Sequence, residues 1–503
     1  MNFFQAFYKR ILFLINLIFI LLINLNLYSV PMYNQYDPFV MHTIRGIDRF
    51  KHKMDDKFNV SLNLTPFYQH AAYSRGPNGA NDADGSKTPT GDIFGRWNIF
   101  GLFYGVEDNQ IKAAPTNKTF VLEPAAVATT YIPNAATRSS YPKISDAWRV
   151  LDNLAENNPV VNPTTYDYEG LDYSFTDITQ YDQATFNKYF AKTYTDYEKY
   201  GLRLDLNFVF KKGIGVNVKS GLVDYKQTPN FVNDTSFQPT WPNEAIPVTT
   251  PDYIYKYMRQ QDIMQDIYDE VGLDTYAHQE TTLEDTFIQL FLRPSFDLMD
   301  NEDELQVSLV PYLAVGAWLP TGKEQNPDSA FSLPTGNNGF WGLTVDGAIN
   351  FDLPGTIQFG FGGGIAYFFD RNLDGQRIAN HELQQGVFPW KANIKKEPGL
   401  LWHFDASMYA PEFIDHFSAY LDFVYLRHNR DKITMQEHDS ERNAYFVPSV
   451  NEENSKWWAT ILQGGVEYSF TPGLQIGLGF QTHLSGRRVY RDTTVLGTMT
   501  FVF

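Results

Sequence analysis

Residues 202–219 read LRLDLNFVFKKGIGVNVK. Leu202, Leu204, Leu206, Phe208 and Phe210 alternate with Arg203, Asp205 and Asn207. Lys211-Lys212-Gly213 then turns the chain, and Ile214, Val216 and Val218 alternate with Gly215, Asn217 and Lys219. A period of two places the apolar set on one face of a strand and the polar set on the other. The hairpin is therefore oily on one side and charged on the other.

The same rhythm continues to the last residue. Ile288, Leu290 and Leu292 precede the polar turn Asp300-Asn301-Glu302-Asp303, and Leu305, Val307, Leu309, Leu313 and Val315 follow it. Trp341, Leu343, Val345, Ile349 and Phe351 lead through Pro354-Gly355 to Ile357, Phe359, Phe361, Ile365 and Tyr367. Further alternating runs are Trp402 to Met408, Phe417 to Tyr425, Trp458 to Phe470, and Leu474 to Phe480 after Thr471-Pro472-Gly473. Many of these runs exceed ten residues. Strands of soluble proteins typically have ~5–6, whereas a tilted strand crossing a bilayer needs ~9–11. The connections also alternate. Short ones lie near 212, 301, 354, 413 and 472, and long ones span roughly 226–284, 320–339, 370–399 and 429–456. Every short turn then falls at one end of the sheet and every long loop at the other, the asymmetry of a transmembrane β-barrel. An open edge in hydrocarbon would leave peptide groups unpaired, so the sheet must close. The expected fold is all-β, a closed antiparallel transmembrane barrel with long external loops carrying short helices. Eleven strands from about residue 200 require an odd number before them. Phe58, Val60, Leu62 and Leu64 mark one; Ile93 to Tyr104 and Phe120 to Ile132 are weaker candidates. Fourteen strands is the favoured number and twelve the alternative.

The final strand carries Val495, Met499, Phe501 and Phe503 on one face. In this it resembles the outer-membrane β-barrels of Gram-negative bacteria, whose last strand ends in Phe with apolar residues at alternating positions. The resemblance implies a cell outer membrane location, contact with outer-membrane lipid and lipopolysaccharide, and reading of that strand by the barrel-assembly machinery. The N-terminal end agrees. Lys9 and Arg10 precede an apolar run from Ile11 to Leu27, read as a secretory signal peptide over 1–29; a membrane anchor is the competing reading. Residues 30–56 form a periplasmic segment in which Asp37-Pro38 opens a helix with Val40, Ile44, Ile47 and Met54 on one stripe. Arg45, Arg49, Lys51 and Lys53 make it basic, suiting either a linker helix or a plug in an acidic lumen. The barrel proper is assigned to 57–503, with long loops at about 107–199 and 226–284. Short helices are expected around Trp148, Leu151 and Leu154 and around Ile254, Met258, Met264, Ile267 and Val271.

Composition fits this class. The chain has 503 residues and no cysteine, which excludes disulfides and thiolate metal sites. Mean hydropathy is -0.34, and no second long apolar run follows Leu27, which excludes a helical membrane protein. Aromatic residues make up 16%, suiting girdles at two membrane interfaces. The formal net charge of -18 opposes nucleic-acid binding.

The polar positions define the candidate site. Arg203, Asp205, Asn207, Asn217, Lys219, Gln306, Asp346, Asn350, Asp405, Asp422, Gln463, Glu467, Gln475 and Gln481 are expected to line the pore. Acids outnumber bases in the set, which points to a weak cation preference. Asp370, Asn372 and Asp374 before Gly375 resemble the start of a calcium loop, but His381 stands where the bidentate acid belongs, and an Asx-rich external turn is the plainer account. No other cofactor is expected. His403, Asp405 and Ser407 share one strand face, yet side chains two apart sit ~7 Å apart, too far for a direct relay, so no enzyme activity is expected. Glycines 360 and 362–364 lie within a strand and mark a bend or close packing rather than a phosphate loop. The functional expectation is a porin-like passive diffusion channel for small solutes. Two alternatives stand beside it: a plugged barrel for hydrophobic substrates, resembling fatty-acid and hydrocarbon transporters, and a surface structural protein or adhesin. Porins are often trimers, but nothing in the sequence marks a homotrimer face.

Overall fold

A computed structural model of the chain describes residues 58–77, 88–94, 165–168, 171–174, 192–210, 213–232, 272–298, 307–353, 357–379, 390–436, 446–471 and 473–503, with isolated positions 268, 388 and 443. The signal peptide, the basic N-terminal segment, the residues of both expected loop helices and the Phe120 to Ile132 candidate lie outside the described residues. So does Gln306.

Twelve strands close a ring. In chain order they are β1 (Phe58–Ala71), β2 (Lys192–Phe210), β3 (Ile214–Val232), β4 (Thr286–Leu292), β5 (Ser308–Leu319), β6 (Gly342–Leu353), β7 (Ile357–Phe368), β8 (Leu401–Ile414), β9 (Phe417–His428), β10 (Trp457–Thr471), β11 (Leu474–Arg487) and β12 (Thr493–Val502). Each pairs antiparallel with the next, and β12 pairs back onto β1, Leu62 opposite Phe501 and Tyr68 opposite Val495. Two further strands bring the sheet to fourteen. His278–Leu283 pairs with β3 and Phe296–Asp297 pairs with β5, so both run in line with β4. What separates the first of them from β4 is a bulge. Between the pairs Lys219–Phe287 and Leu222–Leu283, residues 284–286 oppose only residues 220–221. An extra residue bends a strand and re-aims its side chains. Of the strand candidates before residue 192, β1 is real. Of the Ile93 to Tyr104 candidate only Ile93 and Phe94 are described; they occupy a turn and are buried, and its remainder lies outside the described residues.

All short turns gather at one end. One joins β2 to β3, where Gly213 adopts φ +74° and its carbonyl accepts a hydrogen bond from the Arg293 backbone N–H at 2.7 Å. A Cβ there would strike the Arg293 carbonyl, so glycine is required. The opposite end carries the long connections, and two of them hold structure of their own. Arg371–Arg377, Lys391–Glu397 and Lys432–Met435 form a three-stranded sheet over Leu373, Ile378, Ala392, Ile394 and Ile433, flanked by helix α1 (Pro448–Ser455).

The outer face is apolar along the ring. Leu202, Leu204, Leu313, Ile349, Phe361, Phe423, Leu478 and Val495 are all exposed. Aromatic rings border this band. Trp402, Tyr425 and Trp458 stack in sequence at the loop end, with centroids 5.3 and 6.1 Å apart. Phe58, Phe208, Phe210, Phe417, Tyr468 and Phe470 cluster at the short-turn end. An apolar band between two aromatic girdles is the outer surface of a barrel that sits in a bilayer.

Candidate functional site

The inner face is the candidate site, and strand period decides its membership. Thirteen of the fourteen candidate lining residues are among those described. Arg203, Asp205, Asn207, Asn217, Lys219, Asp346, Asn350, Asp405, Asp422, Gln463, Glu467, Gln475 and Gln481 all point inward, and all but Gln475 are buried. Burial means that this interior is filled by side chains rather than bounded by a wide open bore.

The filling changes along the axis. At the loop end it is apolar. Phe287, Trp318, Phe340, Phe368, Leu426, Trp457 and Ile461 pack into one cluster, with Phe287 and Trp318 4.5 Å apart between centroids. A neighbouring cluster joins Ala71, Ile93, Phe94, Tyr197, Tyr225, Leu333 and Tyr490. These aromatics were not among the candidate residues. Their positions in sequence run apolar on both faces, as in Trp457-Trp458 or Val424-Tyr425-Leu426, so alternation does not single them out.

Below this seal lies a charged latch. Glu284, displaced inward by the bulge, accepts two hydrogen bonds from the Arg203 guanidinium at 2.7 Å each and one from Lys199 Nζ at 2.8 Å. The Arg203 guanidinium also stacks over Phe67, 4.1 Å from its centroid. Lys219 stands 3.5 Å from Asp205, which Asn207 and Asn217 also contact. Neither Lys199 nor Glu284 stood out in sequence, because Glu284 sits in the polar stretch Thr281-Thr282-Leu283-Glu284-Asp285.

Across the ring, glycines carry the site. Midway along β7 the inward residues are Gly360, Gly362 and Gly364. Neighbouring side chains fold flat over them: Asn350 and Ser407 over Gly360, Asp405 over Gly362, and Asp346 with His403 over Gly364. A Cβ at Gly362 would lie 2.7 Å from both Asp405 oxygens. The structure thus confirms close packing as the reason for this glycine run. His403 Nε2 stands 3.8 Å from Asp346 and 3.7 Å from Asp405, while Gln289 donates to Asp346 at 2.7 Å and receives the Tyr312 hydroxyl at 2.9 Å. Ser407 lies with Asn350, four residues along β7 from the glycine under His403, so the three residues do not form a relay.

Several inward polar atoms have no protein hydrogen-bond partner: Ser61 Oγ, Asn63 Oδ1, Asn217 Oδ1, His403 Nδ1, Gln475 Oε1 and both amide atoms of Gln481. Leaving such a group unmade costs ~1–3 kcal/mol, so a wall carrying many of them is shaped for solvent or solute rather than for dry packing.

The calcium expectation meets a different geometry. Residues 371–377 form an extended strand, Asp370 bridges Lys395 at 2.6 Å, and Asn372 accepts from Gln436. The strand is bulged between Leu373 and Gln376, with Gly375 at φ +66°, and Asp370 and Asn372 each hold a protein partner. Outside the bilayer band, burial holds the Lys396 ammonium below its usual range against the pull of its partner Asp431.

No family model matches the chain, and no curated protein matches it. Among solved structures it is similar to an outer membrane channel from Pseudomonas putida F1, at 9% identity over 88% of this chain and 96% of that one, with a TM-score of 0.39. It is also similar to the NanC porin, at 10% identity over 60% and 93% with a TM-score of 0.25. A third is the translocator domain of the autotransporter NalP from Neisseria meningitidis, at 6% identity over 91% and 93% with a TM-score of 0.30.

Proposed function

We propose that the chain is an outer-membrane channel passing small polar solutes by passive diffusion. The observation that carries this is the inner wall. A barrel serving only as an anchor is cheapest with an apolar packed interior, because buried polar groups without partners are costly. Here Ser61, Asn63, Asn217, His403, Gln475 and Gln481 present such groups toward the axis, on four different strands. The aromatic seal at the loop end is the shut gate of this channel. In this proposal residues 1–29 direct export, the β12 face bearing Val495, Met499, Phe501 and Phe503 is read by the assembly machinery, and the short turns face the periplasm.

A second reading takes its support from the seal itself. Phe287, Trp318, Phe368 and Trp457 would form an apolar entrance for a hydrophobic substrate. Single-channel recording in planar bilayers separates the two. A polar-solute channel gives discrete conductance steps under voltage, and a hydrophobic-substrate barrel gives little ion current. Deleting 31–56 raises conductance only where that segment plugs the lumen.

A further inference from the structure

The wall is divided by charge. On β6–β12 the described inward positions carry Asp346, Asp352, Asp405, Asp422 and Glu467, and neither Lys nor Arg. The inward Lys199, Arg203 and Lys219 all stand on β2 and β3, each beside Glu284 or Asp205. One cross-strand row concentrates the contrast. Asp422 on β9 pairs with Gln463 on β10, which pairs with Gln481 on β11. Gln481 is 1% exposed, and neither its carbonyl nor its amino group has a hydrogen-bond partner. Beside this row the Tyr420 side chain lies along the wall. Its hydroxyl rests over Gly465, where a Cβ would be 2.7 Å away, and over Gly479 on the next strand. Glycine at these two positions leaves the room that the Tyr420 ring occupies beside the row.

We propose that Asp422, Gln463 and Gln481 form a site in the lumen for a small organic cation bearing N–H donors, an alkylammonium or guanidinium ion. The carboxylate supplies the opposite charge, and the two amide oxygens accept the remaining N–H bonds. The Tyr420 ring offers a π face to the same cation. An anion at this height meets a carboxylate and, at the described inward positions of seven consecutive strands, neither Lys nor Arg. The site gives the channel proposed above its solute class and rests on that proposal for its access from solution.

The test uses the full-length protein in planar bilayers, with a potassium chloride gradient and methylammonium chloride as the probe. The expected wild type is cation-selective, and methylammonium reduces its potassium current. Asp422→Asn lowers the cation-to-anion permeability ratio about fivefold, as one carboxylate a few ångströms from the path implies. Gln481→Leu raises the half-blocking methylammonium concentration about tenfold, the value of a hydrogen bond to a charged group. Gln481→Glu, which adds an acceptor charge, lowers that concentration and serves if either other variant fails to fold. Anion selectivity, or wild-type block in all folded variants, overturns the site. If the protein never conducts, the channel proposal falls instead, and calorimetric titration of the detergent-solubilised protein with methylammonium decides the site. Binding weakened by Gln481→Leu upholds it, and absence of binding removes it.

Discussion

Glu284→Gln is the most informative single change in the interior. The Glu284 side chain is 7% exposed, Arg203 4% and Lys199 11%, so this charge triad is nearly dry. Neutralising the carboxylate leaves two cations facing each other and the Phe67 ring, and the amide oxygen gives weaker hydrogen bonds while the amide N–H opposes a cationic donor, so that bond is lost. Removing one partner from a buried ion pair costs about 3–5 kcal/mol, or roughly two to four orders of magnitude in the folded-to-unfolded ratio. Urea unfolding in detergent micelles, followed by tryptophan fluorescence, measures this directly. The triple change Lys199→Met, Arg203→Met and Glu284→Met recovers most of the loss, because replacing the whole group by apolar side chains of similar length removes the stranded charge. A Glu284→Gln protein within about 0.5 kcal/mol of wild type would refute the reasoning, since a loss that small belongs to solvated pairs.

Gly364→Ala drives a methyl into Asp346 and His403, and should cost about 1–3 kcal/mol in the same assay, with Gly363→Ala, on the outer face, as the milder control. Trp318→Ala opens the loop-end seal, so open-channel probability in planar bilayers rises; unchanged gating would place the gate elsewhere. Asp431→Asn strands the buried Lys396 ammonium, and limited proteolysis should cut the outer three-stranded sheet while the barrel survives. Because Lys396 titrates below its usual range when folded, the unfolded segment binds the extra proton, and protease resistance of this sheet should rise with pH in the window just under ~10.4. Deleting Phe503 should reduce membrane assembly in cells yet leave refolding in detergent intact; equal loss in both would assign Phe503 a structural role alone.

The barrel was legible in sequence because a lipid-facing strand and its lumen face differ in polarity at every step. Leu202 to Phe210 shows this without help from tertiary structure. Orientation of the inner residues followed from the same period. Their pairing did not, because it depends on register between strands far apart in the chain: Asp346 meets His403 only across β7. The bulge at Glu284 was hidden because one extra residue shifts phase without changing composition. In sequence the outer sheet reads as loop, since Lys391–Glu397 hides Ala392 and Ile394 among charges. The strand count depended on the same ambiguity, with twelve strands closing the ring and two short ones lying in line with β4.

The seam between β1 and β12 has a kinetic consequence. Its partners are among the most distant in the polypeptide, Ser61 opposite Val502 and His70 opposite Thr493, and the Phe503 N–H reaches the Val60 carbonyl at 2.9 Å. Contacts so remote in sequence form late and slowly, because a very large loop must be closed before they give any return. Until then the first and last strands are both raw edges, and each invites a foreign strand. Whatever covers that slit before closure must leave as β12 pairs with β1 along its length.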